Sequence, residues 1–528
     1  MTTAVIGAIA LLVLIGAPLF TIVGIATLLC LIGFTELSSF MDLRVLVQHI
    51  ENLATKQEFL AIPLFIASGA VMTEGGIARR LVNLMRALLA GLPGGLGVAA
   101  VAACMFFAAI SGSSPVTLIA VGSMMFPALT KHGYSESFSL GLVTTAGSLG
   151  CLVPPSISML IYAISVSGTA TVDPSDLFLA GMLPAMLIAG LLSVYSIWVG
   201  SKIPGERERF SWPEVKLRLE EGSWAVALPV IVLGGIYGGW YTPSQAGAVA
   251  VVYSLVVTIW IHRELDLGRA IRAMVESAQL MGALLPIIVL AFGLNEFLAL
   301  IDVQDKVVEL IKWIDPSPAG FLLIVNVVLI VLGALMDSIS ATLIFAPLLA
   351  PAAYELFHID PIHFGIIFVV NMEIGYLMPP VATNLFVASA IFVKPFGFVS
   401  RAVIPTLTLT ILALGLIIYL PSISLAAIHF RDDKPLWVAF PWDGKPKDEA
   451  EGHTTPPTGL GALTGKIAAG LDDEEGATAT ATPSLKSLTG KIMKDLDEES
   501  DAPPTPTLKG LTNRIMKDLD EPGTSTTP

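Results

Sequence analysis

Charged side chains are scarce in this sequence. Asp, Glu, Lys and Arg make up 14% of its 528 residues, whereas soluble domains average about 25%. The scarcity is confined to residues 1–430, where 43 of 430 residues are charged. In residues 431–528, 29 of 98 residues are charged. Together with 54% hydrophobic residues and a mean hydropathy of +0.78, this excludes a soluble protein. It predicts a membrane body followed by a hydrophilic tail.

Cysteine clusters, catalytic motifs and basic surface are also missing. Cys30, Cys104 and Cys151 all lie in apolar stretches and have neither disulfide nor metal-ligand spacing. The seven histidines form no HExxH motif, and GALTGK at 461–466 departs from the phosphate-loop pattern. A net charge of −14 leaves no basic surface for nucleic acid. We therefore expect no enzyme activity, no resident cofactor, no transition-metal site and no nucleic-acid partner.

Apolar runs dominate the chain as far as residue 425. Ten of them approach the roughly 20 residues that cross a bilayer, and they cover 2–16, 18–34, 58–76, 137–166, 176–199, 223–239, 244–262, 277–301, 362–392 and 402–420. Two further apolar regions, 94–128 and 319–352, are interrupted near the middle by the polar segments 111–115 and 337–340. Interrupted backbone at membrane depth is tolerated only where it is buried in protein or lines a cavity. We therefore predict two re-entrant hairpins.

The sequence repeats itself at a fixed offset of 225 in residue number. Ser113, Thr117, Gly150, Pro154 and Pro155 fall on Ser338, Thr342, Gly375, Pro379 and Pro380. Each half has five predicted spans and one hairpin, and an odd number of crossings inverts the second half. The predicted fold is thus an all-α polytopic membrane protein with two inverted-topology repeats.

The predicted domain boundaries follow from this repeat. The first repeat covers 1–200, with a hairpin at 94–128 and a broken span at 137–166; the second covers 223–425, with a hairpin at 319–352 and a broken span at 362–392. A linker at 201–222 joins the repeats, and 426–528 form the tail.

The distribution of basic residues predicts the orientation. Loops on the side of 201–222 carry 14 Lys and Arg, whereas the opposite loops carry 4. Because cytoplasmic loops are enriched in basic residues, we expect the linker in the cytoplasm of a bacterial cell. The body then spans the inner membrane several times, and both the N-terminus and the tail are periplasmic.

Amphipathic stretches lie outside the predicted spans. Residues 37–55 and 263–276, and a segment with Arg79, Arg80 and Arg86, are either interfacial helices or ordinary connections. Residues from 441 onward are rich in Pro, Thr, Gly and acidic residues, which predicts disorder. A short amphipathic unit, most complete at 485–498 and 508–521, occurs three times in this tail. The units are either part of an acidic extension or docking segments for a partner.

The four interruptions provide chemistry for a small cation. We expect the hairpin tip at 111–117 to face the break at Pro154-Pro155, and the tip at 337–342 to face the break at Pro379-Pro380. Consecutive prolines remove two backbone donors and free the preceding carbonyl groups. Carbonyls beside Ser and Thr hydroxyls suit a hard cation such as sodium. The alternative is that the small residues and prolines only permit tight packing or a kink.

Ionisable residues inside spans are costly and therefore draw attention to function. Asp337 and Glu373, with Asn371 beside the latter, lie in the interrupted regions. Their possible roles are ion ligand, proton acceptor or helix cap.

Four motifs carry a family resemblance. They are SGSSP at 111–115, GCLVPPSI at 150–157, LFLAGMLP at 177–184 and NMEIGYLMPP at 371–380. Over about residues 1–425, the sequence resembles the large membrane subunit of tripartite ATP-independent periplasmic (TRAP) transporters. The resemblance implies a sodium-driven importer of small organic acids with an elevator mechanism. It also implies two partners, a small four-span membrane subunit and a soluble periplasmic substrate-binding protein.

The resemblance also implies roles for individual residues. The sodium sites would involve Ser113, Ser114, Thr117, Gly147 and Pro154 in the first half, and Ser338, Thr342, Gly375 and Pro379 in the second. The substrate would lie between the hairpin tips, and its expected contacts are Ser111, Asp337, Ser340, Asn371 and Glu373. The family has Thr before the second proline pair and Gly soon after it, where this sequence has Met378 and Ala382.

Two other functions fit the same residues. A single-polypeptide, sodium-coupled dicarboxylate carrier would share the hairpin design but would need no binding protein. A membrane scaffold or sensor would use a degenerate transporter body to anchor the repeated tail, and normal transport after deletion of 441–528 would argue against it.

Overall fold

The computed structural model is helical throughout the part of the chain that it describes, which comprises residue 7 and residues 19–34, 57–167, 172–203, 210–380 and 382–440. The chain divides into two units, Met1–Ala450 and Glu451–Pro528. The second unit lies outside the described residues. So do most of the span predicted at 2–16, the amphipathic stretch at 37–55, and the tail from 441 onward for which disorder was predicted.

The described residues of the first half form nine helices. They are α1 (Leu19–Phe34), α2 (Gln57–Glu74), α3 (Ile77–Leu89), α4 (Gly95–Ser111), α5 (Ser114–Thr117), α6 (Ser123–Lys131), α7 (Glu136–Ser148), α8 (Ile157–Val166) and α9 (Pro174–Gly200). A π-helical turn, Leu118–Gly122, joins α5 to α6, and a 3-10 turn, Leu149–Cys151, follows α7. Helix α4 and the α5–α6 segment form the first hairpin, and α7 with α8 forms the first broken span.

The second half of the described chain forms ten helices. They are α10 (Trp212–Tyr237), α11 (Pro243–Leu255), α12 (Leu267–Leu300), α13 (Val303–Ile314), α14 (Pro318–Leu335), α15 (Ser338–Phe357), α16 (Pro361–Gly375), α17 (Thr383–Phe392), α18 (Phe396–Tyr419) and α19 (Ser422–Arg431). A π-helical turn, Val256–Ile261, extends α11. Helices α14 and α15 form the second hairpin, and α16 with α17 forms the second broken span.

Seven single helices of the described chain are long and apolar enough to cross a membrane: Pro174–Gly200, Trp212–Tyr237, Pro243–Ile261, Leu267–Asn295, Pro318–Leu335, Ser338–Phe357 and Phe396–Tyr419. The pair α2 and α3, which bends by 72°, could supply an eighth span. Both arms of the second hairpin are in this group. Their length alone therefore does not distinguish a re-entrant hairpin from two crossings, and the re-entrant path stays a prediction.

Several helix boundaries differ from those expected. Helix α10 begins at Trp212, so half of the segment assigned to a linker is helical. Helix α12 runs without a break from Leu267 to Leu300, so the helical part of the 263–276 stretch continues directly into the following span. Helix α19 was not anticipated, because its ten residues are too short and too polar for an apolar run.

Many helices begin at a cap followed by proline. Asp173, Thr242, Ser317 and Asp360 each accept a hydrogen bond from a backbone N–H of the first turn, and each precedes a proline. Proline suits this position because the first N–H groups of a helix have no intrahelical partner and its fixed φ is helical. These four dipeptides therefore fix the starts of α9, α11, α14 and α16.

Local features recur at the offset of 225 found in the sequence. Gly133 and His358 both have left-handed φ values, 89° and 51°. Two positions later, Ser135 and Asp360 both cap the first helix of a broken span. The Pro154-Pro155 and Pro379-Pro380 bonds, which are related by the same offset, are both cis.

The described helices pack in two main groups. Helix α2 packs against α11 and α12, and α12 packs against α1. In the other group, α4 packs against α7 and α9, α14 and α15 pack against α16, and α7 packs against α18. The hairpins and broken spans therefore share one packed body. The first group contacts this body directly, through α2 against α4 and α12 against α15, and α3 packs against both α4 and α10.

Candidate functional site

The first hairpin turns at Gly112. This glycine has φ 60°, and its N–H donates to Ala108 O, which ends α4. Ser113 is the extended residue before α5. At this tip Thr117 Oγ1 donates to Ser113 O at 2.8 Å and lies 2.9 Å from Ser111 Oγ. Two hydroxyls and a carbonyl oxygen therefore converge within one turn.

The first proline break lies directly against this tip. A Cβ atom on Gly150 would lie 2.6 Å from the carbonyl carbon and oxygen of Ser113, and a Cβ on Gly112 would lie 2.7 Å from Pro155 O. A Cβ on Gly147 would lie 2.9 Å from Leu118 Cβ. The first hairpin tip and the first broken span, which carry the residues predicted for the first sodium site, therefore pack closely together, and this close approach requires glycine.

The second hairpin repeats part of this arrangement. Thr342 Oγ1 donates to Ser338 O at 2.6 Å, which is the counterpart of the Thr117 bond in the first hairpin. Asp337 caps α15 by accepting a hydrogen bond from Ser340 N at 3.0 Å. A Cβ on Gly375 would lie 2.5 Å from Gly333 C, so the second broken span also touches its own hairpin through glycine.

The two proline breaks differ in exposure. Pro154 and Pro155 are buried, whereas Pro379 and Pro380 are exposed. Ala382, two residues after Pro380, has φ 33° and is buried. The second break therefore keeps a left-handed residue although its side chain disfavours that conformation.

Each hairpin tip also contacts the broken span of the other half. Ser158 Oγ in α8 lies 3.2 Å from Ser338 Oγ, and Asn384 Nδ2 in α17 donates to Ser114 Oγ at 2.6 Å. Neither Ser158 nor Asn384 was predicted as a site residue. A signal was present, because both are polar residues three or four positions after a proline pair.

Asn371 and Glu373 are fully buried in α16. Asn371 Nδ2 donates to Asn326 Oδ1 at 2.5 Å, and Glu373 Oε1 lies 2.8 Å from Ser148 Oγ. Asn326 and Ser148 were also missed, since each is a single polar residue within an apolar run. Asn371 is thus hydrogen-bonded to an arm of the second hairpin, and Glu373 is hydrogen-bonded to the end of α7.

Several buried oxygens in this region have no hydrogen-bond partner among the described residues. They are Ser340 Oγ, Asn371 Oδ1, Glu373 Oε2 and Asn384 Oδ1. Buried polar atoms are normally hydrogen-bonded, so a group of such oxygens indicates where a ligand could bind. Across the ranges that the structure covers, no three His, Cys, Asp or Glu residues form a metal cluster. The available ligands are hydroxyl, amide, carboxylate and carbonyl oxygens, which suit a hard cation.

Comparison with known proteins gives one family. The family described as "Tripartite ATP-independent periplasmic transporter, DctM component" matches residues 6–423. The chain is 41% identical over 372 residues to the C4-dicarboxylate TRAP transporter large permease protein DctM of Pseudomonas aeruginosa, covering 70% of this chain and 85% of that protein. It is 37% identical over 434 residues to the protein of the same name from Rhodobacter capsulatus, covering 80% and 97%.

A solved structure shares the fold. The Alcanivorax borkumensis YdaH transporter superposes with a TM-score of 0.54 at 15% identity, covering 76% of this chain and 91% of that chain. At this identity the similarity concerns the fold alone.

Proposed function

The chain belongs to the DctM family of TRAP transporters, and we propose that it couples the import of a small carboxylate to sodium entry. A TRAP large permease is a multi-pass inner-membrane transport protein rather than an enzyme, and it works with a periplasmic binding protein and a small membrane subunit. Membership therefore confirms the resemblance seen in the sequence motifs. The ion, the substrate and the mechanism are the proposal.

The recurrence of one hydroxyl–carbonyl pair in both hairpins carries the sodium proposal. Thr117 and Thr342 occupy equivalent positions, and each lies beside the carbonyl of a tip serine. We propose one sodium site from Ser113, Ser114, Thr117, Gly147 and Pro154, and a second from Ser338, Thr342, Gly375 and Pro379. Glycine supports this proposal at 147 and 375, since a side chain there would collide with neighbouring atoms.

The proposed substrate site lies between the two tips. Its residues are Ser111, Asp337, Ser340, Asn371 and Glu373. Three of them, Ser340, Asn371 and Glu373, keep a buried oxygen without a protein partner in the described ranges. The names of the two relatives, both C4-dicarboxylate permeases, favour a small carboxylate.

An inverted repeat with an elevator motion would connect these sites to both sides of the membrane. The recurring caps, left-handed residues and proline pairs at an offset of 225 support the repeat. The hairpins and broken spans pack together in one body, as a moving unit requires. Two sodium ions entering down 100 mV would release about 2.3 kcal/mol each, on the order of a thousandfold accumulation of a neutral solute.

Ion pairs join loops that are expected on the same side of the membrane. Arg80 forms an ion pair with Glu264, and Lys394 forms one with Glu136. All four residues belong to segments expected on the cytoplasmic side. Arg431 pairs with Asp176, and both belong to the side expected to be periplasmic. We propose that the C-terminal tail, which follows Arg431, is periplasmic.

Copurification tests the assembly. The tagged chain is purified in mild detergent from its native membrane, and its partners are identified by mass spectrometry. We expect a stoichiometric small protein of about four spans, whose binding protein can then be screened with carboxylates by thermal shift. A chain that purifies alone and drives sodium-dependent uptake without a soluble component would instead be a single-polypeptide carrier.

A further inference from the structure

A hydrogen bond joins the two broken spans at equivalent positions. Ser148 Oγ lies 2.8 Å from Glu373 Oε1, and the residues are 225 positions apart. Both side chains have no solvent exposure. If two repeats are related by a two-fold axis, residues at equivalent positions can touch only close to that axis. This contact therefore lies where the two halves meet.

The same two residues adjoin the tightest contacts between broken spans and hairpins. Gly150 follows Ser148 by two positions and lies against the Ser113 backbone, while Gly375 follows Glu373 by two positions and lies against the Gly333 backbone. A continuous chain of contacts thus runs from the first hairpin through Ser148 and Glu373 to the second hairpin. Interiors packed without voids transmit displacements across such contacts.

Ser148 is held in place from two sides. Its hydroxyl lies 2.7 Å from Thr145 O as well as 2.8 Å from Glu373 Oε1. The single hydroxyl hydrogen is shared between these two acceptors, which holds the side chain against its own helix and joins the last turn of α7 to α16. A movement of either helix end therefore changes the position of the other.

We infer that Ser148 and Glu373 are positioning residues that couple the two proposed cation sites. Ordering of the first break by a cation fixes the end of α7, and the hydrogen bond then holds the end of α16 in the conformation that binds the second cation. Sodium binding is consequently cooperative, and the bond carries the coupling. This inference rests on the proposed sodium coupling.

The coupling predicts a loss of cooperativity rather than a loss of binding. Sodium binding is measured on the purified full-length chain with its copurifying subunit, by a radioactive sodium binding assay across a sodium titration. We expect the wild type to have a Hill coefficient clearly above one. Ser148→Ala and Glu373→Ala should lower it toward one. Because the half-saturating concentration of two coupled sites shifts by the square root of the coupling factor, a factor of about fivefold or more should raise the half-saturating sodium concentration about twofold or more.

Conservative and matched variants separate coupling from damage to the fold. Glu373→Gln keeps an oxygen for Ser148 and should retain cooperativity, so rescue by Gln is expected where Ala fails. Ser254→Ala is the control, because Ser254 is also fully buried and makes the same type of bond, to Val251 O at 2.8 Å, in a helix outside the hairpin body. It should leave the Hill coefficient unchanged.

The outcomes separate this inference from the proposed function. Absence of saturable sodium binding in the wild type would overturn sodium coupling itself. Two-site binding without cooperativity in the wild type, or unchanged cooperativity in both Ser148→Ala and Glu373→Ala, would overturn the coupling while the sodium sites stand. If Glu373→Ala does not fold, Ser148→Ala decides the matter.

Discussion

Asn384 donates a hydrogen bond to Ser114, from Nδ2 to Oγ at 2.6 Å, although the residues are 270 positions apart. The bond connects the second broken span to the tip of the first hairpin. The Ser158–Ser338 contact at 3.2 Å makes the reciprocal connection. Each hairpin tip therefore has a hydrogen-bond partner from the other half of the chain, so a residue of the opposite half borders each proposed cation site.

Substitution of the contact glycines should destabilise the hairpin body. Gly150→Ala would place Cβ 2.6 Å from the Ser113 backbone, and Gly375→Ala would place it 2.5 Å from that of Gly333. Because the neighbouring atoms are backbone, they cannot rotate away, and overpacking typically costs about 1–3 kcal/mol. We expect both variants to melt at a lower temperature in detergent.

Gly190→Ala is the matched control for this prediction. Gly190 lies in α9, and an added Cβ would meet nothing within 4 Å. Alanine also has the higher helix propensity. The control should therefore be as stable as the wild type or more stable, and equal melting temperatures for all three variants would contradict the packing argument.

The interrupted regions were predictable because they contain strong local signals. Gly112 readily adopts the left-handed conformation that ends α4, and each proline pair removes two consecutive backbone donors, so the breaks fall where the sequence predicts them. The role of Asp337 as a helix cap was one of the alternatives, and the bond from Ser340 N shows that cap. Whether the residues of the site bind sodium or substrate stays a prediction.

Long-range partners were not predictable from one sequence. Ser148 and Asn326 are single polar residues in apolar runs, and only the fold places them beside Glu373 and Asn371. The start of α10 was also missed, because the charged residues after Trp212 interrupt the apolar pattern without interrupting the helix. Hydrophobic runs indicate burial in lipid, whereas helix ends depend on caps and packing.

Ala382→Gly should stabilise the protein. Ala382 has φ 33°, a left-handed conformation that costs an L-residue with a Cβ roughly 1–2 kcal/mol. Glycine removes this cost but increases the entropy of the unfolded chain, so we expect a net gain of about 1 kcal/mol, measured as a higher melting temperature. The control Ala390→Gly, at an exposed position inside α17, should lose about 1 kcal/mol. A lower melting temperature for Ala382→Gly would show that the backbone there is not strained.

The ion pair between Arg80 and Glu264 should make the stability of the folded protein depend on pH. Arg80 donates two hydrogen bonds to this carboxylate, at 3.0 and 2.7 Å, and holds its pKa below the usual 4.5. A lowered pKa in the folded state means that the stabilisation is complete above about pH 4.5 and is lost as the pH falls through the lower folded value. Glu264→Gln should therefore cost about 1 kcal/mol at pH 7, and its deficit relative to the wild type should shrink in acid.

Arg79→Ala and Arg80→Ala test which arginine contributes to this ion pair. Arg79 makes one contact at 3.2 Å and its side chain is 65% exposed, whereas that of Arg80 is 17% exposed. Arg80→Ala should reproduce the loss seen for Glu264→Gln, and Arg79→Ala should have little effect. A deficit of Glu264→Gln that stays constant from pH 7 to pH 4 would exclude the ion pair as its source.

The threonines at the two hairpin tips provide the most direct test of the cation sites. Thr117→Val and Thr342→Val remove one hydroxyl each while keeping the branched shape, and both residues are fully buried. A polar group bound to a charge contributes about 1.5–3 kcal/mol, so each variant should bind sodium about ten- to hundredfold more weakly. Sodium-dependent thermal stabilisation of the purified protein measures this loss.

Thr408→Val is the control, because Thr408 makes the same bond to the carbonyl four residues earlier, Ile404 O at 2.9 Å, but on an exposed face of α18. If only the tip variants bind sodium more weakly, the two threonines contribute to the cation sites. If the control loses sodium-dependent stabilisation equally, the hydroxyls of Thr117 and Thr342 only make the ordinary hydrogen bond to a carbonyl of their own helix.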